Sequence, residues 1–301
     1  MHRYRHLMVA LARPQTDAGL IKYAAMVARL GTANEVRFVH VLPAAGSLPG
    51  GVDHDRMLAE LSAAVQSHFT GVPATVHVSY EVLAGPLVDR LLTHIAERQV
   101  DLLLLGDRHG PVSRKSLTRR LAMKAPCSVW LVPEDAAPEF RRVLVPIDFS
   151  QPAADSLRVA TAMARLHGHT ECLALHVYFN NAAITYEEYD QVLRGQEEDV
   201  YRQFIAPIDC HGVRVKPLFE EGPQVAQVVS RMAEQEDAGL IVMATRGRSR
   251  SAAILLGSVT EEMILATRVP LLAVKHFGAR MGVVQALLDR RFWDQGTLRT
   301  D

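Results

Sequence analysis

The feature that most constrains this 301-residue chain is that it is one unit written twice. "RHLMVALARPQTDAGLIKYAAMVARLG", from Arg5 to Gly31, lies over "RRVLVPIDFSQPAADSLRVATAMARLH", from Arg141 to His167, at a constant offset of 136. Val9 falls on Val145, Ala24 on Ala160 and Arg29 on Arg165, and the same offset carries His40 onto His176 and Val41 onto Val177. Farther along, "AGPLVDRLLTHIAERQVDLLLLGDRHG" lies over "EGPQVAQVVSRMAEQEDAGLIVMATRG" at an offset of 137, so one residue separates the two frames. Self-similarity over so long a stretch means a duplicated domain. Pro and acidic residues in "VPEDAAPEFRR", Val132 to Arg142, mark the join. We therefore expect domains at 1–137 and 138–277, with a tail at 278–301.

Each half alternates short, continuously apolar, β-rich runs with helical patterns. In the second half "RRVLVPI", "CLALHVYF", "VRVKPLF", "GLIVMA" and "LLAVKH" read as strands, separated by helical stretches such as "PAADSLRVATAMARL". Continuous apolar strands suit a sheet covered on both faces, and strand–helix alternation suits parallel strands joined by right-handed crossovers. The expected fold is α/β: two doubly wound, Rossmann-like domains in tandem, each with a five-stranded parallel sheet.

Composition narrows the partners. A hydrophobic fraction of 49% with 22% charged residues is globular, and Lys plus Arg equals Asp plus Glu at 33 each, so no overall field favours nucleic acid or anionic lipid. Cys127, Cys172 and Cys210 are odd in number and far apart, which argues against a disulfide framework or a zinc site. With no apolar run long enough to span a bilayer, the expected location is the cytoplasm.

In doubly wound sheets ligands bind beyond the carboxyl ends of the strands, where the strand order reverses. The tips of the first and fourth strands of the second half, at Asp148 and at Met243 and Ala244, are thus expected to face one crevice. After the fourth strand come Gly247, a nine-residue loop from Arg248 to Leu256, then Gly257 and Ser258 opening a helix. Glycines admit positive φ and close backbone approach, a helix start offers unpaired N–H groups, and Arg246, Arg248 and Arg250 add positive charge. Phosphate is the natural guest. Asp148 also suits a turn carboxylate before a helix, and Ser150 suits a helix cap. His40 and His176, at equivalent strand positions, suggest shared packing or a shared hydrogen bond.

The duplicated unit, from about Leu7 to His276, resembles the universal stress protein family. That family's V-x-x-D-x-S stands as "VPIDFS" at Val145 to Ser150, and its G-x-x-G, nine residues, G-S as "ATRG", nine residues, "GS". Family members with the full pattern bind ATP, and the fifth strands of two family domains can pair at a dimer interface, so the resemblance implies that "SVWLV" and "LLAVK" pair within this chain as a pseudo-twofold unit and protect two edges. The resemblance implies that Asp148 reaches the adenine neighbourhood and that Val177 supplies backbone and apolar contacts to the base. It places Met243 and Ala244 on the ribose side and Gly247, Gly257, Ser258 and Val259 around the phosphates, with Arg248 beside them and ATP bound alone or with Mg2+. Ala244 departs from the first motif glycine. In the first half Ala12 stands in place of Asp148, Asp107 in place of the first glycine and Lys115 in place of Gly257, with a shorter loop. That half is expected to have lost its site.

The implied function is nucleotide-dependent regulation in a stress response, with an unknown protein partner and a possible homodimer. The rival reading is an interaction scaffold without nucleotide. There is no G-x-x-x-x-G-K-[ST] loop and no positioned base beside the phosphate loop, so efficient catalysis is not expected and slow ATP hydrolysis is the most foreseen. In the tail, Val283, Val284, Leu287, Leu288 and Phe292 share a helical face suited to docking.

Overall fold

The computed structural model of the protein describes residues 4–14, 16–30, 33–43, 54–107, 112–139, 141–179, 187–247 and 256–275, with backbone alone described at 112–117 and 187–194. The first half runs β1 (His6–Leu11), α1 (Ala18–Arg29), β2 (Glu35–Leu42), α2 (His54–His68), β3 (His77–Ala84), α3 (Leu87–Glu97), β4 (Leu102–Asp107), α4 (Val112–Lys124) and β5 (Ser128–Pro133). The second repeats the plan: β6 (Val143–Ile147), α5 (Gln151–Leu166), β7 (Glu171–Tyr178), α6 (Glu187–Ile205), β8 (Arg214–Glu221), α7 (Val225–Gln235), β9 (Leu240–Ala244), α8 (Ser258–Ala266) and β10 (Leu271–Val274). The predicted tail at 278–301 lies outside the described residues.

The strands form one sheet in the order β3-β2-β1-β4-β5-β10-β9-β6-β7-β8. Neighbours within each half are parallel, whereas β5 and β10 pair antiparallel, with Leu131 opposite Leu271, Trp130 opposite Leu272 and Val129 opposite Ala273. The fifth strands thus fuse two five-stranded sheets, as expected. The outer strand β8 carries Lys216 and Pro217, which resist further edge pairing.

Side chains alternate along the strands and supply two separate apolar layers. One, with Leu7, Val9, Trp130, Val143, Val145 and Leu272, is covered by α1, α2, α5 and α6. The other, with Met8, Val129, Leu131, Ile241, Met243 and Leu271, is covered by α3, α4, α7 and α8. Each layer runs across the seam, so the halves share their cores.

Polar contacts close the seam. Lys275, 6% exposed, donates through Nζ to the carbonyls of Met123 (3.1 Å) and Ala125 (2.7 Å) at the end of α4. Its backbone N–H donates to Ser128 Oγ at 3.1 Å, and the Tyr4 hydroxyl donates to the same oxygen at 3.2 Å. Across the helical layer, Arg119 of α4 pairs with Glu261 of α8.

Candidate functional site at the strand tips of the second half

The topology assembles the site. β6 lies between β9 and β7, which is where the strand order reverses, and the register places Val143 beside Leu240 and Ile147 beside His176. Asp148, Val177, Met243 and Ala244 therefore gather at one edge of the sheet. Met243 belongs to the second apolar layer, and Val177 and Val259 pack partly buried against it.

Asp148 and Gly247 meet directly. Asp148 Oδ2 stands 2.5 Å from the point where a β-carbon on Gly247 would lie. The other carboxylate oxygen accepts the Ser150 N–H at 3.1 Å, and Ser150 Oγ caps α5 by accepting the Ala153 N–H at 3.3 Å. Asp148 is thus both a turn carboxylate and a wall of the crevice. Between Asp148 and Ser150, Phe149 adopts φ of 61°, a left-handed conformation uncommon for a bulky residue.

The start of α8 is tied back onto β9. Gly257 N–H donates to the Thr245 carbonyl at 2.7 Å, and Thr260 Oγ1 donates to the Ala244 carbonyl at 2.9 Å. The first-turn N–H groups, those of Ser258 and Val259 among them, have no intrahelical acceptor and carry the positive end of the helix dipole. An anion there meets donors without side-chain rearrangement.

Two expectations are corrected. Neither Gly247 nor Gly257 uses positive φ; Gly257 sits at φ −76° and ψ 154°, open to any residue. The glycine requirement is one of space: at Gly247 an added β-carbon would meet the end of the Asp148 side chain at 2.5 Å and the carboxylate would have to shift, whereas at Gly257 it would meet the Thr245 carbonyl at an ordinary 3.5 Å. Ala244 pairs with Val274 in extended backbone, so its methyl group is conformationally harmless. The second correction is in the first half: α4 begins at Val112, only five residues past Asp107, so Lys115 lies inside the helix and not at its start. Shortening the loop pulled the helix start toward the strand tip.

Arg246 is half-buried, while Arg248 and Arg250 fall outside the described residues. Burial pushes the Lys275 ammonium down to about 8; neighbouring Cys127 opposes that shift and Arg246 adds to it. A separate hollow of about 400 Å³, lined by Pro133, Asp135, Ala136 and Arg268, combines charges of opposite sign and so exerts little net pull on phosphate. Among the described residues no group of three or more His, Cys, Asp or Glu is arranged to hold a metal ion, and no helix is long and apolar enough to cross a membrane.

His40 and His176 do share a hydrogen bond: each donates through Nδ1 to the carbonyl closing the first strand of its half, Leu11 at 2.8 Å and Ile147 at 2.9 Å. Sequence reasoning missed Thr260 and Phe149, whose roles depend on contacts between distant segments.

Fold and strand-tip geometry together define a duplicated, doubly wound α/β protein in whose second copy Asp148 and Gly247 meet at the strand tips. The model of the universal stress protein family matches residues 3–133 and 139–275, and the chain belongs to that family. It is 26% identical over 157 residues to universal stress protein MJ0577 of Methanocaldococcus jannaschii, a match covering 46% of this chain and 96% of that protein. It is 27% identical over 170 residues to universal stress protein E of Escherichia coli K12, covering 52% of this chain and 53% of the relative. Among solved structures, a universal stress protein from Archaeoglobus fulgidus superposes with a TM-score of 0.64 at 19% identity, covering 91% of this chain and 98% of that one. A likeness at that identity shows the fold.

Proposed function

We propose that the second half binds ATP, alone or with Mg2+, and that occupancy regulates the surface this protein presents in a stress response. The observation that carries the reading is the meeting of Asp148 with Gly247, which brings the two separated motifs of the sequence into one crevice beside the start of α8. In this reading Val177 and Met243 face the base and ribose, while Gly247, Gly257, Ser258 and Val259 surround the phosphates, with Arg248 contributing charge from the loop. The protein acts as a binding protein in the cytoplasm, and any hydrolysis is slow, since the sequence around the phosphate loop carries no recognisable general base. The first half serves as a fixed partner for the second.

The test is calorimetric titration of nucleotide-stripped protein with ATP and magnesium, beside a Gly257→Lys variant. We expect one equivalent to bind and the variant to lose it. Absence of binding to the unaltered protein would instead favour a nucleotide-free interaction scaffold, the reading that Ala244 in place of a motif glycine supports.

A further inference from the structure

Both chain neighbours of Asp148 are held by a single side chain. His176 donates through Nδ1 to the Ile147 carbonyl, and its ring lies against that of Phe149 with centroids 4.2 Å apart and a 33° tilt. Phe204 of α6 packs edge-on against the same phenyl ring at 5.5 Å. Behind the imidazole, Glu197 of α6 brings Oε2 within 3.3 Å of Nε2, an ion pair formed when the ring carries protons on both nitrogens, since Nδ1 already donates to Ile147.

The duplication provides an internal control. His40 makes the equivalent backbone bond in the first half, but Ala12 and Arg13 follow Leu11 there, and the counterpart of Glu197 at the 136 offset is Leu61, fully buried. That frame is supported four residues on, where Val65 and Tyr201 are both buried. Leucine at the position equivalent to Glu197 is therefore compatible with a folded half, and packing alone does not call for a carboxylate. At this position the carboxylate stands in the half that carries Asp148, and leucine in the half that carries Ala12.

We propose that Glu197 and His176 are positioning residues of the second-half site. Glu197 fixes the orientation of the His176 ring, and the ring fixes Ile147 and Phe149, thereby aiming the Asp148 carboxylate between them. The consequence for affinity rests on the ATP reading; the consequence for the strand tip does not.

The test compares the full-length protein with Glu197→Leu, which copies Leu61, and with Glu197→Gln. Three quantities are measured: the urea midpoint, hydrogen exchange at the Ser150 amide bonded to Asp148 Oδ1, and ATP affinity by calorimetry. In Glu197→Leu the midpoint is expected to hold, while Ser150 exchange quickens and ATP binding weakens, each by about fivefold, the effect of losing one interaction of this kind. Glu197→Gln should recover part of both. Unchanged Ser150 exchange in Glu197→Leu overturns the positioning role whether or not ATP binds. A lowered midpoint with all amides exchanging faster in proportion overturns it too, since the role is then structural only. Faster Ser150 exchange in a protein whose unaltered form binds no ATP upholds the positioning role and sinks the nucleotide reading.

Discussion

The carboxylate of Asp148 occupies the space that a β-carbon on Gly247 would need, with Oδ2 2.5 Å from that point. A strand tip and a loop nearly a hundred residues apart are fitted to each other at the scale of one methyl group. Gly247→Ala should displace the carboxylate while leaving stability nearly unchanged, because residue 247 is exposed. ATP affinity is expected to fall about tenfold, within the range that coupled neighbours show. The decisive comparison is a double-mutant cycle: in an Asp148→Ala background the effect of Gly247→Ala should vanish, and full additivity would show that the two residues do not act together.

Ser150 caps α5 through the Ala153 N–H. Ser150→Ala should lower stability by about 1 kcal/mol, as the loss of an N-cap does. Urea unfolding would detect this, and a loss below the error of the fit would deny the cap its role.

Lys275 gives the protein an alkaline signature. Its folded-state value, near 8, lies below the ordinary 10.5, so between those limits the unfolded chain holds a proton that the folded chain has released. Stability contributed by this residue therefore rises with pH across that window and is flat below it. Cys127, pushed up to about 12 chiefly by burial, acts in the opposite direction as pH rises above 9. Because Cys127 and Lys275 act on each other, the comparison is made in a Cys127→Ala background, where the difference between the parent and Lys275→Met isolates the lysine. Urea midpoints from pH 7.5 to 10.5 should climb relative to the variant, and parallel curves would refute the burial of the ammonium.

The seam makes a blunter prediction. Val129 and Leu271 are 1% and 0% exposed, on adjoining strands of the two halves. Val129→Lys or Leu271→Lys would bury an unpaired charge, so each should part or unfold the halves. Small-angle scattering should report an expanded shape, and an unchanged compact profile would mean that this strand pairing does not hold the halves together.

Much of the architecture could be read directly because the duplication doubles the evidence for each strand and helix. Leu240 to Ala244 and Val143 to Ile147 are recognisable as buried strands from apolar runs alone, and the topological rule then puts Asp148 near Met243. Contacts across the chain were less legible. Nothing local announces that Phe149 adopts positive φ with its ring packed between His176 and Phe204. Lys275 reads as the polar end of a strand, and only the meeting of β10 with the end of α4 shows its ammonium to be buried. The comparison of Glu197 with Leu61 was available in the repeat, but its meaning depends on knowing that α6 lays residue 197 against His176.

The antiparallel pairing of β5 with β10 turns what would be an interface between exchangeable subunits into an internal one. Two separate chains must find each other at whatever concentration the cell provides, and any copy can meet any other. Covalent tethering sets a high and constant effective concentration for the second strand, independent of expression level. It also ends the requirement that both copies be the same. One copy is free to accumulate changes such as Ala12 and the shortened loop before α4 while still serving as a scaffold, so this chain behaves as an obligate heterodimer that can never be assembled with the wrong stoichiometry.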